Sequence, residues 1–451
     1  MSEEEKASAR RKRSTFGVVF LTIFMDMVGF SVIFPLFPAM LDHYLQAQEA
    51  AGGGVLTAFV DSVEGTSREM GEYDNKSFRI ETVIFGGILG SLYAILQFFF
   101  APVWGRLSDK FGRKPILFLT LGGTCLGYLF WVFAGSFWVL VLSRVLGGVF
   151  SGNLSVATAS IADVTSRESR SKGMAFVGVA FGLGFILGPA LGSWASNYDL
   201  STNAGGAFDL NNFSLAAILS FGLALINWVW LALRFPETLP PEKRKEGAGS
   251  KPAIFQLGKV SNFAVRKTCL SYLFYMISFS GMEFTLTFLA FERFSYLPSE
   301  MWKLFLLIGV TLILAQGVFV RRFVGPLGEK RLALAGILIG ALAFAMVATV
   351  HGEFLFSLAL FLMSTGVAFI SPTLTALTSL HSKESDQGFN LGVFRSSGSM
   401  ARACGPLLAG LIYFKYGSSF AYMLGAIFLM IPIFILLKVP QPKFDEREKN
   451  A

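Results

Sequence analysis

Gly105-Arg-Leu-Ser-Asp-Lys-Phe-Gly-Arg-Lys-Pro115 sets four cations and one acid between two long apolar runs. A knot of charge like this does not lie in hydrocarbon. The runs flanking it, about 82–104 and 115–134, therefore emerge on the same side of a membrane, and the stretch reads as a hairpin tip between two spanning helices. Gly105 and Gly112 are expected to supply tight turns and close helix approach. Pro115 is expected at the first position of the next helix, where its missing N–H costs nothing.

Composition agrees. The 451 residues are 53% hydrophobic and 15% charged, with 48 Phe and a mean hydropathy of +0.58, which excludes an ordinary soluble domain. Only helices or closed barrels satisfy every backbone polar group in lipid, and a spanning helix needs about 20 apolar residues. The runs here are too long for barrel strands.

Working outward, twelve spans are predicted: about 15–41, 82–104, 115–134, 137–162, 173–195 and 213–235, then 268–291, 301–320, 331–349, 354–380, 388–414 and 419–437. The expected fold class is an all-α polytopic membrane protein with two six-helix bundles. The organisation is a tail over 1–14, a bundle over 15–235, a linker over 236–267, a bundle over 268–438 and a tail over 439–451. Residues 42–81 read as a long polar loop with a Gly52-Gly-Gly54 tract and a short helix near 55–63. Asn75-Lys-Ser77 fits a glycosylation acceptor, relevant only in a eukaryotic secretory membrane. The linker, with Pro236, Pro240, Pro241 and Pro252, is expected to tether the halves without carrying chemistry.

Twelve spans put both termini on one side. Most of the 38 Lys and Arg fall on that side, including Arg10-Arg-Lys-Arg13, so it is expected to be cytoplasmic, in a cell (inner or plasma) membrane. Topology thus accounts for the net charge of +8, and no nucleic-acid partner is implied. The basic head reads as a positive-inside anchor rather than a nuclear-localisation patch.

The halves repeat one another. Gly188-Pro-Ala-Leu-Gly192 matches Gly405-Pro-Leu-Leu-Ala-Gly410, and Gly112-Arg-Lys114 matches Gly328-Glu-Lys330, at nearly the same offset. Transporters are often built from such related bundles. The second knot, Gly325-Pro-Leu-Gly-Glu-Lys330, lacks the acid that Asp109 supplies in the first. Cys125, Cys269 and Cys404 lie within spans and imply no disulfide. His43, His351 and His381 are scattered and imply no metal site. With no nucleotide-binding loop or redox site, an enzyme is not expected, nor any cofactor beyond a proton gradient.

Chemistry falls to ionisable groups inside the spans, where each is a functional candidate. Asp26 comes out roughly 16 Å from the cytoplasmic face, Arg144 roughly 20 Å, and Glu283 and Arg402 roughly 21 to 23 Å, at 1.5 Å per residue. They share one layer near the midplane, with Arg395 nearer the cytoplasmic end. The structural alternative is that these are ion pairs tying helices together. The spans suggest Asp26 with Arg144 and Glu283 with Arg402. A buried acid whose preferred state a substrate can change is also the simplest proton carrier.

Span one reads Asp26-Met-Val-Gly-Phe-Ser-Val-Ile-Phe-Pro35, span four carries Arg144-Val-Leu-Gly-Gly148 and closes with Ile161-Ala-Asp163, and span five has Gly184-Phe-Ile-Leu-Gly188-Pro189-Ala-Leu-Gly192. With the knot at 105–115, these resemble the drug:proton antiporter branch of the major facilitator superfamily, which includes bacterial tetracycline exporters. Phe279-Ser-Gly-Met-Glu283 and Gly398-Ser-Met-Ala-Arg402-Ala-Cys-Gly-Pro406 resemble its tetracycline-transporter-like members, linked to organic-anion and drug efflux. The resemblance implies proton coupling through Asp26, Arg144, Glu283 and Arg402. It implies gating by Gly105, Asp109, Gly112, Arg113, Lys114 and Asp163, and an antiporter motif of Gly184, Gly188, Pro189 and Gly192. Arg144, Glu283, Arg395 and Arg402 are the expected substrate contacts.

The expectation is a monomeric secondary transporter working by alternating access. It exchanges a drug-like or organic-anion solute for protons, with the lipid bilayer its only other partner. The alternatives are a facilitator or proton symporter for a metabolite anion, and a non-transporting receptor or scaffold of the same fold.

Overall fold

The computed structural model describes residues 3–50, 80–164, 167–202, 206–244, 257–382 and 387–441. Each of the twelve apolar runs falls in a helix or a broken series of helices. The first half comprises α1 Glu3–Ser31 with α2 Phe37–Ala50, α3 Ile80–Phe111, α4 Arg113–Val132, α5 Phe137–Phe150 with α6 Asn153–Val164, α7 Arg167–Ala195 and α8 Ser214–Arg234. The second comprises α9 Phe263–Phe294, then α10 Trp302–Leu314 with a π-helical segment Ala315–Val320 and α11 Arg321–Leu327. It continues through α12 Glu329–Thr349, α13 Glu353–Leu380 and α14 Gln387–Phe428, which is broken into two helices at Gly417 (φ 84°), to α15 Met430–Leu437. Among the described residues, eight segments are long and apolar enough to cross a bilayer unaided, and β structure is limited to one isolated bridge, Ala134 with Phe208. The glycine tract 52–54, residues 55–63, Asn75 and the middle of the linker lie outside the described residues.

Five local expectations need correction. Span one is not continuous: α1 stops at Ser31 and a short 3₁₀ turn, Phe34–Leu36, precedes α2. Pro35 has no N–H to continue the ladder and the ring disfavours the helical region for Phe34. The chain after it is helical to Ala50 rather than entering a loop at residue 42. Span four breaks too, at Ser151-Gly152 between α5 and α6. In the knot, Gly105 lies inside α3, facing Ser155 of α6, and the turn is made by Gly112 alone, at φ 104°. Helix α4 starts at Arg113, so Pro115 is its third residue, still within the first turn where backbone N–H groups have no intrahelical partner.

By internal packing the chain divides into two compact units, Met1–Ile33 with Ile95–Pro252 and Lys449–Ala451, and Phe34–Ala94 with Ala253–Glu448. The first is centred on α1. Val19, Ile23 and Met27 pack with Leu117 and Leu121 of α4, Val156 and Ile161 of α6, Ala180 of α7 and Leu231 of α8. Thr22 adds a buried hydrogen bond to Asn227 Oδ1 on α8, at 3.1 Å. In the second unit Ala315 packs with Leu332 of α12 and with Ala368 and Phe369 of α13.

The repeat seen in the sequence is also geometric. Gly112 and Gly328 open α4 and α12 with φ of 104° and 79°, a region that only glycine enters freely. In the first unit Ser31 Oγ donates to the Met27 carbonyl at 2.8 Å and lies 3.4 Å from the Gly184 carbonyl of α7. In the second Ser280 Oγ donates to the Ala401 carbonyl of α14 at 3.2 Å. Gly188 and Gly405 face these serines at the same crossings, where a Cβ would meet the serine Oγ and a backbone carbonyl, Val28 O at 2.6 Å and Ile277 O at 2.7 Å respectively. Small residues let these backbones touch, as expected where helices associate in lipid.

Candidate functional site

Four polar clusters stand out, two in each unit. The first is the knot. Arg113, 6% exposed, donates from Nε to Asp163 Oδ2 at 2.9 Å and from Nη1 to Asp109 Oδ1 at 2.6 Å and Ser108 Oγ at 2.7 Å. The expected gating residues Asp109, Arg113 and Asp163 are therefore one network joining the end of α3, the start of α4 and the end of α6. Lys114 joins it through its backbone. The N–H groups of Arg113 and Lys114 both donate to the Glu237 carboxylate, at 2.9 and 3.2 Å. An anion at a helix N-terminus is favourable both as a cap and against the helix dipole. Thr238 Oγ1 donates to Asp163 at 3.1 Å. Glu237 and Thr238 belong to the stretch read as a passive linker, which is thus partly a component of the knot. The second copy holds differently: Lys330 Nζ donates to the Leu437 carbonyl at 2.9 Å.

The second cluster surrounds Asp26, 6% exposed within α1. Its expected partner was Arg144, but its hydrogen bond comes from Asn153 Nδ2, at 3.1 Å to Oδ1. Arg144 of α5, itself 6% exposed, lies over the Trp131 ring with Cζ 4.6 Å from the centroid, a cation–π contact with a buried indole. Tyr128 of α4 feels both the Asp26 and Arg144 charges and comes up against Gly29. Asn153 opens α6 immediately after the break in span four. Trp104 Nε1 donates to the Val149 carbonyl at 2.6 Å, and Ser151 Oγ donates to that of Gly148 at 2.6 Å. Trp104 also packs onto Gly152, where a Cβ would lie 2.5 Å from Trp104 Cβ. The Ser-Gly-Asn run inside an apolar span was the available signal.

In the second unit, the charge of Arg402 on α14 acts on Glu283 of α9, and Tyr272 of α9 lies within electrostatic range of both Arg402 and Arg395. Arg395 and Arg402 are seven residues apart, two helical turns on one face. Tyr272 stacks on Phe394, ring centroids 4.1 Å apart, and fills the space that a Cβ on Gly398 would need. Sequence reading missed a clamp further along α9. Arg293 Nη1 donates to the carbonyls of Val347 and Val350 at 2.7 and 2.9 Å, and Nη2 to Ser419 Oγ at 2.8 Å. Its neighbour Glu292 accepts from Tyr413 Oη and Ser418 Oγ of α14. Of the antiporter motif, Gly184 and Gly188 lie against α1, with a Cβ on Gly184 2.5 Å from the Phe24 carbonyl, and Pro189 lies inside α7.

Long apolar helices in two similar bundles, with ionisable side chains along the helices of each, define a membrane transporter rather than an enzyme. The chain belongs to the Major Facilitator Superfamily, whose family model matches residues 19–380 and again 302–451. It is 33% identical to major facilitator superfamily domain-containing protein 10 of Bos taurus, over 94% of this chain and 92% of that one. Tetracycline resistance protein class B of Escherichia coli is 26% identical, over 97% of this chain and all of that one. The crystal structure of the human organic anion transporter MFSD10 (TETRAN) superposes with a TM-score of 0.76 at 30% identity, covering 94% of this chain and 99% of that one. The chain is thus an integral membrane protein and a homologue of the tetracycline resistance proteins.

Proposed function

We propose that this transporter exports an organic anion in exchange for protons, by alternating access, from a cytoplasm that faces the knot and both termini. The observation that carries the reading is that both bundles hold ionisable groups within their helices: Asp26 and Arg144, both buried, in one, and Glu283 and Arg402, half-buried, with the exposed Arg395 in the other. A buried charge within a membrane bundle costs free energy, which makes Asp26 and Arg144 functional candidates. Arg395 and Arg402 on one face of α14, with Tyr272 beside them, form a cationic and aromatic wall suited to a planar anion. The name of the human relative, an organic anion transporter, supports that substrate class, and the tetracycline resistance relatives support export. Asp26 is the proton carrier, with Glu283 a second acid within reach of the Arg402 charge. The protein works as a monomer in the cell membrane, with no resident cofactor.

The test uses purified protein in liposomes loaded with a pH-reporting dye. A set of fluorescent organic anions is applied as a gradient with no other driving force. Exchange predicts proton movement opposite to the anion. A facilitator moves the anion with no pH change, and a receptor moves neither.

A further inference from the structure

The hydrogen bonding around Asn153 is incomplete in a way that points to a proton. Thr124 Oγ1 donates to the Thr120 carbonyl at 3.0 Å, so it meets Asn153 as an acceptor and takes a hydrogen bond from Nδ2 at 3.2 Å. The other Nδ2 hydrogen goes to Asp26 Oδ1. The amide is therefore oriented, and both its donors are used. What remains on the two planar groups is Asn153 Oδ1 and Asp26 Oδ2, both buried and neither with a hydrogen-bond partner among the described residues. Asn153 is 0% exposed. With Asp26 ionised, two acceptors are buried without a donor, at a cost of about 1–3 kcal/mol or more each. A single proton on Asp26 Oδ2 removes both deficits, because the O–H can donate to Asn153 Oδ1 and close a two-bond carboxyl–amide pair.

We propose that Asn153 is a positioning residue that holds the proton on Asp26: the arrangement seen here is the protonated state, with Asp26 Oδ2–H donating to Asn153 Oδ1. This deepens the proton-coupled reading above and rests on it for its meaning in transport. The neighbouring groups are compatible. Arg144 of α5 stacks on Trp131, Tyr128 of α4 is the other titratable neighbour, and α7 and α8 contribute Gly184 and Asn227, which are neutral. The break at Ser151-Gly152 makes Asn153 the first residue of α6, so a bend there draws the amide away from α1 and leaves the carboxyl group without its acceptor. Proton release then accompanies a backbone movement and passes the proton to water.

Infrared spectroscopy of the full-length protein in lipid at neutral pH reads this without transport. The proposal predicts a carboxylic-acid C=O band that Asp26→Asn removes and that Asn153→Leu shifts to higher frequency or abolishes. Absence of an Asp26 band in the wild type overturns it, because the two oxygens are then served by a water or a cation. An Asp26 band that stays in place in Asn153→Leu also overturns it. If Asn153→Leu does not insert, the wild type and Asp26→Asn still decide the protonation, and Thr124→Val, which frees the amide to rotate, replaces it as the second arm with the same expected shift. Loss of proton-driven transport in a protein that keeps the band would count against the transport reading alone.

Discussion

Arg113 at the start of α4 and Asp163 at the end of α6, 50 positions apart in sequence, meet at 2.9 Å, and Thr238 joins Asp163 from the segment after α8. The motif at 105–115 is therefore one part of a larger device that fastens three helix ends and the chain leaving the first unit. Asp163→Asn leaves a buried guanidinium with less compensation. Transport should fall about tenfold, the equivalent of about 1.4 kcal/mol. Asp109→Asn should bias the protein toward inward-open. Initial rates, with cysteine labelling from each face, check both, and unchanged rates and access in both variants would show that the network does not gate.

Glu237 supplies the cap for α4 and is expected to matter as much as the motif residues. Glu237→Gln keeps the shape and removes the charge, and Glu237→Ala removes both. The alanine variant should lose about 1 kcal/mol of stability and the glutamine variant less, as for other N-terminal caps. Thermal unfolding in detergent compares them. Equal melting temperatures for the wild type and Glu237→Ala would count against this role.

The twelve runs, the charged knot and the repeat were legible because each is a local pattern: an apolar length, a cluster of charge, a Gly-Pro pair. Asp26 and Arg144 were legible as buried charges, yet their partners were not. Asn153 lies 127 positions from Asp26, and Trp131 is one aromatic among many in an apolar chain. Depth along a helix can be counted in sequence, but the face it turns to its neighbours cannot. Arg293 was passed over for a related reason. At the end of α9 it resembles an interfacial cation, and its carbonyl partners on α12 emerge only from the packing.

The crossings at Gly188 and Gly405 should respond alike. A methyl group at either meets a backbone carbonyl, so Gly188→Ala and Gly405→Ala should each cost about 1–3 kcal/mol by overpacking. Transport should fall with stability in both. Wild-type melting temperatures in both would mean that the helices part freely there.

Arg293→Ala strips the carbonyls of Val347, Ala348 and Val350 of their donor at the end of α12. The expected loss is about 1–3 kcal/mol, from carbonyls left unpaired. Arg293→Lys should recover only part of it, since one ammonium cannot reproduce the planar fork. Denaturation monitored by tryptophan fluorescence ranks the three proteins, and full rescue by lysine would point to charge alone.

Coupling of an organic anion to protons through Asp26 is most directly tested by anion uptake driven by an imposed pH gradient in sealed vesicles. The wild type, Asp26→Asn and Glu283→Gln are compared at matched insertion. Gradient-driven uptake should be lost in Asp26→Asn while anion-for-anion exchange persists, with Glu283→Gln weakening both. Wild-type gradient-driven uptake in both variants would contradict the mechanism.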